Sequence, residues 1–254
     1  MATTGETEWR DLAEVEGKTE DGCRERIVPG FSNPRIVACH EARYAFARPF
    51  AATANRALDA GCGAGYGTRV LAEAAGLAYG ADLGETAVRY ACRHFAGPNC
   101  HFLVADGCAL PWRDESFDLV CAMELIEHVP DDERLLREFV RVLRPAGRLI
   151  LSTPRRDPAQ DAPAHTHHVR EYSADELRDL LGRFFEVEEL YVQTKPRSVW
   201  ALVGRLLLRP LAALGGWSGA LSRAYYRLSS PTAFEPATHA KGTEPYLVAL
   251  CRKP

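Results

Sequence analysis

The run Arg56-Ala57-Leu58-Asp59-Ala60-Gly61-Cys62-Gly63-Ala64-Gly65-Tyr66-Gly67 constrains the fold more than any other part of the chain. Leu58 and Ala60 suit a short buried strand, and the glycines that follow forbid its continuation. Gly61, Gly63 and Gly65 carry no side chains, so the backbone can turn tightly and a ligand can lie against it. A helix beginning near Tyr66 turns its unpaired N–H groups towards the same place. Strand, glycine turn and helix in this order make a cradle for a cofactor.

From Arg56 onward the apolar pattern alternates between strands and helices. Strands are predicted at 56–60, 77–82, 101–105, 117–123 and 146–153, with helices near 66–75, 84–95 and 131–143. Alternation at this spacing implies parallel strands, crossover helices and a doubly wound α/β sheet. Arg144-Pro145-Ala146-Gly147 is a helix stop signal. Ser173 and Glu176 form a capping box for a later helix, and strands at 184–192 and 245–252 pair antiparallel at the end. Ahead of the glycine turn, Ile36, Val37, Ala38, His40, Tyr44, Ala45 and Phe46 have helical spacing. The expected organisation is a flexible tail over 1–25 and one domain over 26–254, with an N-terminal helical cap at 26–52. Residues 195–243 form an inserted helical element kinked at Pro210. From Tyr191 to Phe234 it has no Asp or Glu, while Arg205, Arg209, Arg223 and Arg227 are basic. Beside Trp200, Leu206, Leu207 and Leu208, these arginines fit a lid, peripheral membrane contact through 195–230, or a homodimer face.

In an open parallel sheet, ligands bind beyond the C-terminal strand ends. Those ends carry Asp59, then Asp82 23 residues later, then Asp106, then Met123-Glu124. Asp82 suits a carboxylate accepting the two hydroxyls of a ribose. The dinucleotide fingerprint G-x-G-x-x-G is not matched, because its third glycine would fall at Tyr66. An acid before the turn also suits a cationic ligand better than a pyrophosphate. Asp-x-Gly-x-Gly-x-Gly resembles motif I of the class I S-adenosylmethionine (SAM) methyltransferases, whose cofactor carries an amino group and a sulfonium. Leu110-Pro111-Trp112 through Ser116-Phe117-Asp118 and Arg141 through Gly147 are similar to further stretches of that family, of the type 11 and ubiquinone-biosynthesis kind.

The resemblance implies a Rossmann-like, seven-stranded, mostly parallel sheet with an antiparallel last strand, helices on both faces, SAM as cofactor and S-adenosylhomocysteine as product. It gives the cofactor set as Asp59, Gly61, Cys62, Gly63, Asp82, Leu83, Asp106, Gly107 and Met123, with His40 and Tyr44 approaching from the preceding helix.

Glu124-Leu125-Ile126-Glu127-His128 places Glu124 and His128 four apart, on one face if a helical turn follows the strand. His165, His167 and His168 lie in a loop at the same sheet edge. Carboxylates and imidazoles converging there can bind Mg²⁺, Mn²⁺ or Zn²⁺, with Glu124, Glu127, His128 and His168 as ligands. The pattern resembles the metal site of small-RNA 3′-end 2′-O-methyltransferases and of ubiquinone-biosynthesis O-methyltransferases. Without metal, His128, His167 or His168 is the candidate general base. The expected acceptor is a hydroxyl on a small or carrier-linked molecule of a sugar, polysaccharide or secondary-metabolite pathway. The alternatives are an amino sugar or other small amine, and RNA 2′-O-methylation. A net charge of -3 gives no overall pull towards nucleic acid. The eight scattered cysteines lack any C-x-x-C pair, and the polar start shows no signal peptide, so a cytoplasmic protein is expected.

Overall fold

The computed structural model describes residues 27–29, 32–156, 167–194, 233–239 and 245–254. The expected tail over 1–25, the insertion up to 232 with Pro210, and His165 lie outside the described residues. Labels below run in chain order over the described part.

Helix α1, Pro34–Ala51, starts with Pro at its first position and with the Asn33 side chain accepting from the Arg35 N–H. Strand β1 is Arg56–Ala60, and the glycine turn leads into helix α2, Tyr66–Ala72. There follow β2 Leu77–Asp82, α3 Glu85–Phe95, β3 Cys100–Val104 and β4 Phe117–Met123. A 3₁₀ turn, Ile126–His128, connects β4 towards α4, Asp132–Val142. β5 is Leu143–Pro154, α5 Ala174–Gly182, β6 Glu186–Thr194, β7 Ala233–Pro236 and β8 Tyr246–Arg252.

These strands form one sheet in the order β3-β2-β1-β4-β5-β8-β6-β7. Pairing is parallel from β3 to β5 and antiparallel where β8 lies between β5 and β6. The strand order reverses between β1 and β4, and the ligand crevice of such a sheet opens at that reversal. β4, at the centre, buries all but one residue.

The two faces of the sheet carry separate cores. On one, Leu135, Leu136, Phe139 and Val142 of α4 and Leu177 and Leu181 of α5 cover Leu58, Val120, Leu149 and Leu151. On the other, Tyr44, Ala47 and Ala51 of α1 and Leu71 and Ala72 of α2 cover Ala57, Leu119, Cys121 and Ile150. The four small alanines among these contacts let α1 and α2 lie close to the strands.

Three expectations need correction. The sheet has eight strands and not seven, because Ala233–Pro236 pairs antiparallel with β6 at the edge. This segment falls inside 195–243, read from sequence as helical; its described end is a strand followed by a 3₁₀ turn. The helix expected over 131–143 stops at Val142, and Leu143 already pairs with Phe117. Ala146 then takes a left-handed backbone, φ 60°, and the ladder resumes at Leu119 and Arg148 after a register shift. The capping box at Ser173 and Glu176 is present in full. No helix among the described residues is long and apolar enough to cross a membrane. Cysteines 39, 62, 92, 100, 108, 121 and 251 carry free thiols.

Gly67, inside α2, is small for a packing reason: a Cβ there would lie inside the Tyr44 ring. Glycine to alanine in a helix ordinarily stabilises by about 0.5–1 kcal/mol. Here Gly67→Ala should destabilise by about 1–3 kcal/mol in urea unfolding, because the ring cannot give way. In a Tyr44→Ala background the sign should revert to the ordinary gain.

Candidate active site

The glycine turn is held by backbone before any ligand arrives. The Gly61 and Cys62 N–H groups both donate to the Ala81 carbonyl, at 2.8 and 3.0 Å, tying the turn to β2. Gly61, Gly63 and Gly65 all have positive φ, at 73°, 50° and 87°, which only glycine adopts without strain. Their surroundings differ, however. A Cβ on Gly65 would collide with Ala91 and Phe102, and one on Gly61 would touch Leu125, whereas nothing lies within 4 Å of one on Gly63. Gly63 therefore marks the open side of the cradle.

Asp59 lies beneath the turn, fully buried, accepting from Thr68 Oγ1 at 2.6 Å and from the Tyr44 hydroxyl at 3.1 Å. Burial raises its pKa to about 7; the two hydroxyl bonds oppose the shift and the Asp82 charge adds to it. Asp82, at the end of β2, accepts from the Gly63 N–H at 2.9 Å and from the Gly84 N–H at 2.8 Å. These bonds fix the carboxylate at the rim of the crevice. Leu83 beside it is 69% exposed, an apolar platform where an aromatic base could lie. Asp106 is exposed beyond β3, accepting from the Cys108 N–H at 2.8 Å, and Gly107 keeps that turn clear of Leu135.

Not every residue of the expected cofactor set faces the crevice. Met123 packs in the core beneath α1, and Leu125 is the side chain that lies against the turn. Cys62 is buried, its thiol pushed well above the usual pKa by burial and by Asp59. Tyr44 supports Asp59 from below and stacks edge-on with Tyr66 at 5.7 Å. His40 is one helical turn earlier, its pKa held well below the ordinary value by burial and the nearby Arg43 charge.

The second cluster forms at the adjoining ends of β4 and β5. Glu124 has a left-handed backbone, φ 56°, and stands outside the 3₁₀ turn Ile126–His128, so Glu124 and His128 do not share a helix face as expected. Glu124 turns towards α1, with Oε1 3.2 Å from Arg43 Nη1. Glu127 turns inward and is fully buried; its Oε2 accepts from Thr153 Oγ1 at 3.0 Å, and its Oε1 has no hydrogen-bond partner. Burial, and then the Glu124 charge, push its pKa well above the usual carboxylate range.

The histidine loop reaches this place because its backbone is anchored there. The Val169 and Arg170 N–H groups donate to the Glu127 carbonyl, and Arg170 and the Tyr172 hydroxyl both bind Asp132. As a result, ligand atoms of Glu127, His128 and His168 lie within 4.8 Å of one another. His168 Nδ1 is 2.7 Å from Glu171 Oε1, and His128 Nδ1 is 3.3 Å from the His167 carbonyl. Contacts of this kind fix the tautomer and orientation of a metal-binding imidazole. His167 thus contributes its carbonyl to the cluster. A buried carboxylate with one unpartnered oxygen, its ligand atom within 4.8 Å of those of two oriented imidazoles, fits a divalent cation.

Comparison with known proteins shows the family and the fold. The family described as a methyltransferase domain matches residues 58–151. A ubiquinone biosynthesis O-methyltransferase of Pseudomonas fluorescens is 33% identical over 163 residues, covering 63% of this chain and 68% of that protein. The chain belongs to the S-adenosylmethionine-dependent methyltransferases. A probable methyltransferase of this type from Mycobacterium tuberculosis is 41% identical over 132 residues, or 51% of this chain. This chain spans about half, 47%, of the length of that relative. Among solved structures, the N-methyltransferase NodS of Bradyrhizobium japonicum in complex with S-adenosylhomocysteine shares the fold, with a TM-score of 0.59 and 17% identity over 97% of each chain.

The methyltransferase crevice fits SAM on its own geometry: an open Gly63, a rim carboxylate at Asp82 and a buried carboxyl at Asp59. Residues that the sequence did not single out are Thr68, Leu125, Arg43, Thr153 and Glu171. Only Thr68 had a signal, its position one turn into the helix after the glycines.

Asp59 makes stability pH-dependent with a definite sign. A carboxyl whose folded pKa is raised stabilises the fold below its unfolded value, and that contribution is lost as pH rises through about 7. Asp59→Asn mimics the protonated acid. Its stability should match the native chain near pH 4 and exceed it above pH 7, by at most about 4 kcal/mol, in urea unfolding without ligand.

Proposed function

We propose that the protein transfers the methyl group of SAM to a hydroxyl of a small or carrier-linked acceptor, with a divalent cation bound by Glu127, His128 and His168. The observation that carries this reading is the buried, unpartnered Glu127 Oε1 beside two imidazoles, next to the strand end that holds the cofactor turn.

SAM supplies an electrophilic methyl on sulfur. The acceptor oxygen forms the new bond to carbon while the methyl–sulfur bond breaks and its electron pair stays on sulfur. In such a displacement the protein's main contribution is alignment and exclusion of water. Asp82 would accept from the ribose hydroxyls and Leu83 would carry the base, while Gly63 lets the cofactor approach the backbone. An amine would need only to arrive uncharged; a hydroxyl must lose a proton to solvent water, and it is this requirement that a cation-binding cluster answers. When bound, the cation supplies Lewis acidity that lowers the pKa of a hydroxyl placed on it. Two imidazoles in the set admit Mn²⁺ and Zn²⁺ as well as Mg²⁺. The relatives include both O- and N-methyltransferases, so the hydroxyl preference rests on the cluster and not on similarity.

The test uses a hydroxyl acceptor panel and S-adenosylhomocysteine release as the readout. Exhaustive chelation should abolish turnover, added Mn²⁺ or Zn²⁺ should restore it, and Glu127→Gln should lower kcat by about 100-fold or more. Full turnover after chelation would remove the cation from this reading. Preferential methylation of amines across the panel would replace the hydroxyl with nitrogen as the acceptor.

A further inference from the structure

Resting on the cation reading above, we propose that Arg43 withdraws Glu124 from the cluster, so that the described residues hold the cation through three side chains, Glu127, His128 and His168. Arg43 acts here as a positioning residue: it sets the number of ligands without touching the cation.

Glu124, Glu127 and His128 follow one another in five residues, and sequence spacing alone would enlist both carboxylates. Their backbones send them apart. The left-handed turn at Glu124 directs its side chain to α1, where Oε1 meets Arg43 Nη1 and accepts from Ser152 Oγ at 3.3 Å. Glu127, one 3₁₀ turn later, points into the cluster.

Arg43 itself cannot follow Glu124 outward. It is fully buried, its Nε donates to Gln193 Oε1 at 2.9 Å, and its guanidinium lies 4.1 Å over the Tyr246 ring. Gln193 is fixed in turn, its Nε2 donating to the Cys39 carbonyl at 2.9 Å. Three elements, α1, β6 and β8, therefore hold the guanidinium in place. A guanidinium stays charged at any ordinary pH, and stripping the partner from a buried ion pair is strongly unfavourable. Movement of Glu124 to the cation would leave Arg43 buried without its carboxylate. The pair is thus the more stable arrangement.

The consequence is a site to which the described residues supply one carboxylate and two imidazoles. Such a donor set favours Mn²⁺, Fe²⁺ or Zn²⁺ over Mg²⁺, which prefers oxygen ligands.

Mn²⁺ titration of the metal-stripped full chain, followed by electron paramagnetic resonance, tests this. The native chain should bind one Mn²⁺, and Mg²⁺ at equal concentration should leave it in place. Absence of Mn²⁺ binding would end the cation reading itself. The double variant Arg43→Met/Glu124→Gln removes the pair without changing net charge and should bind within about fivefold of the native chain. A loss as large as that of Glu127→Gln would overturn the proposal and make Glu124 a ligand. Arg43→Met alone releases Glu124 and should tighten Mn²⁺ binding by about tenfold or more, whereas Arg43→Lys should not. Should the Arg43 variants fail to fold, Co²⁺ absorption reads ligand number independently. The Glu124→Gln spectrum should then superimpose on the native one, and a changed spectrum would sink the proposal.

Discussion

The structure depends first on the side-by-side pairing of β1 and β4. Strands on either side of this pair run out in opposite directions across the sheet, so their connections leave to opposite flanks and a crevice opens between them. β1 delivers the glycine turn to one wall and β4 delivers Glu124, Glu127 and His128 to the other. Every functional residue described above is reached from one of these two ends or from an element packed against them.

The two walls use different chemistry. On the donor side the work falls to backbone: N–H groups bound to Ala81 and Asp82, and positive-φ glycines that leave space. On the β4 side it falls to side chains, and their cost is visible. Glu127 buries a carboxylate oxygen without a partner, and Glu124 holds a strained backbone. The strained backbone and the unsatisfied polar atom thus stand within one short turn after β4.

Most of the sheet could be read from the sequence because its strands are short apolar runs ended by glycine or an acid, and such endings carry direction. Asp59, Asp82 and Asp106 were legible as a set for that reason. β7 was not, since Ala233-Phe234-Glu235-Pro236 is a half-buried four-residue edge, too short to show a period of two. The divergence of Glu124 from Glu127 was hidden as well: it turns on one left-handed residue, and no local rule forbids a helical turn there. Arg43 was invisible for a third reason. A lone arginine in a helix reads as solvent-facing, and only the tertiary packing of Gln193 and Tyr246 reveals it as buried. The glycines taught a finer lesson. Four in a row looked like one device, yet Gly63 leaves room for a ligand while Gly65 and Gly67 make room for Phe102 and Tyr44.

Arg43 and Tyr44 are neighbours on α1, yet they engage opposite walls of the crevice. Arg43 reaches Glu124 and Gln193, while Tyr44 reaches Asp59 beneath the glycine turn. A helix pinned on both sides has no rotation about its own axis that spares either wall. α1 is thereby a crossbar between the wall at Asp59 and the wall at Glu124. Both walls are thus tied to the same two adjacent residues of one helix.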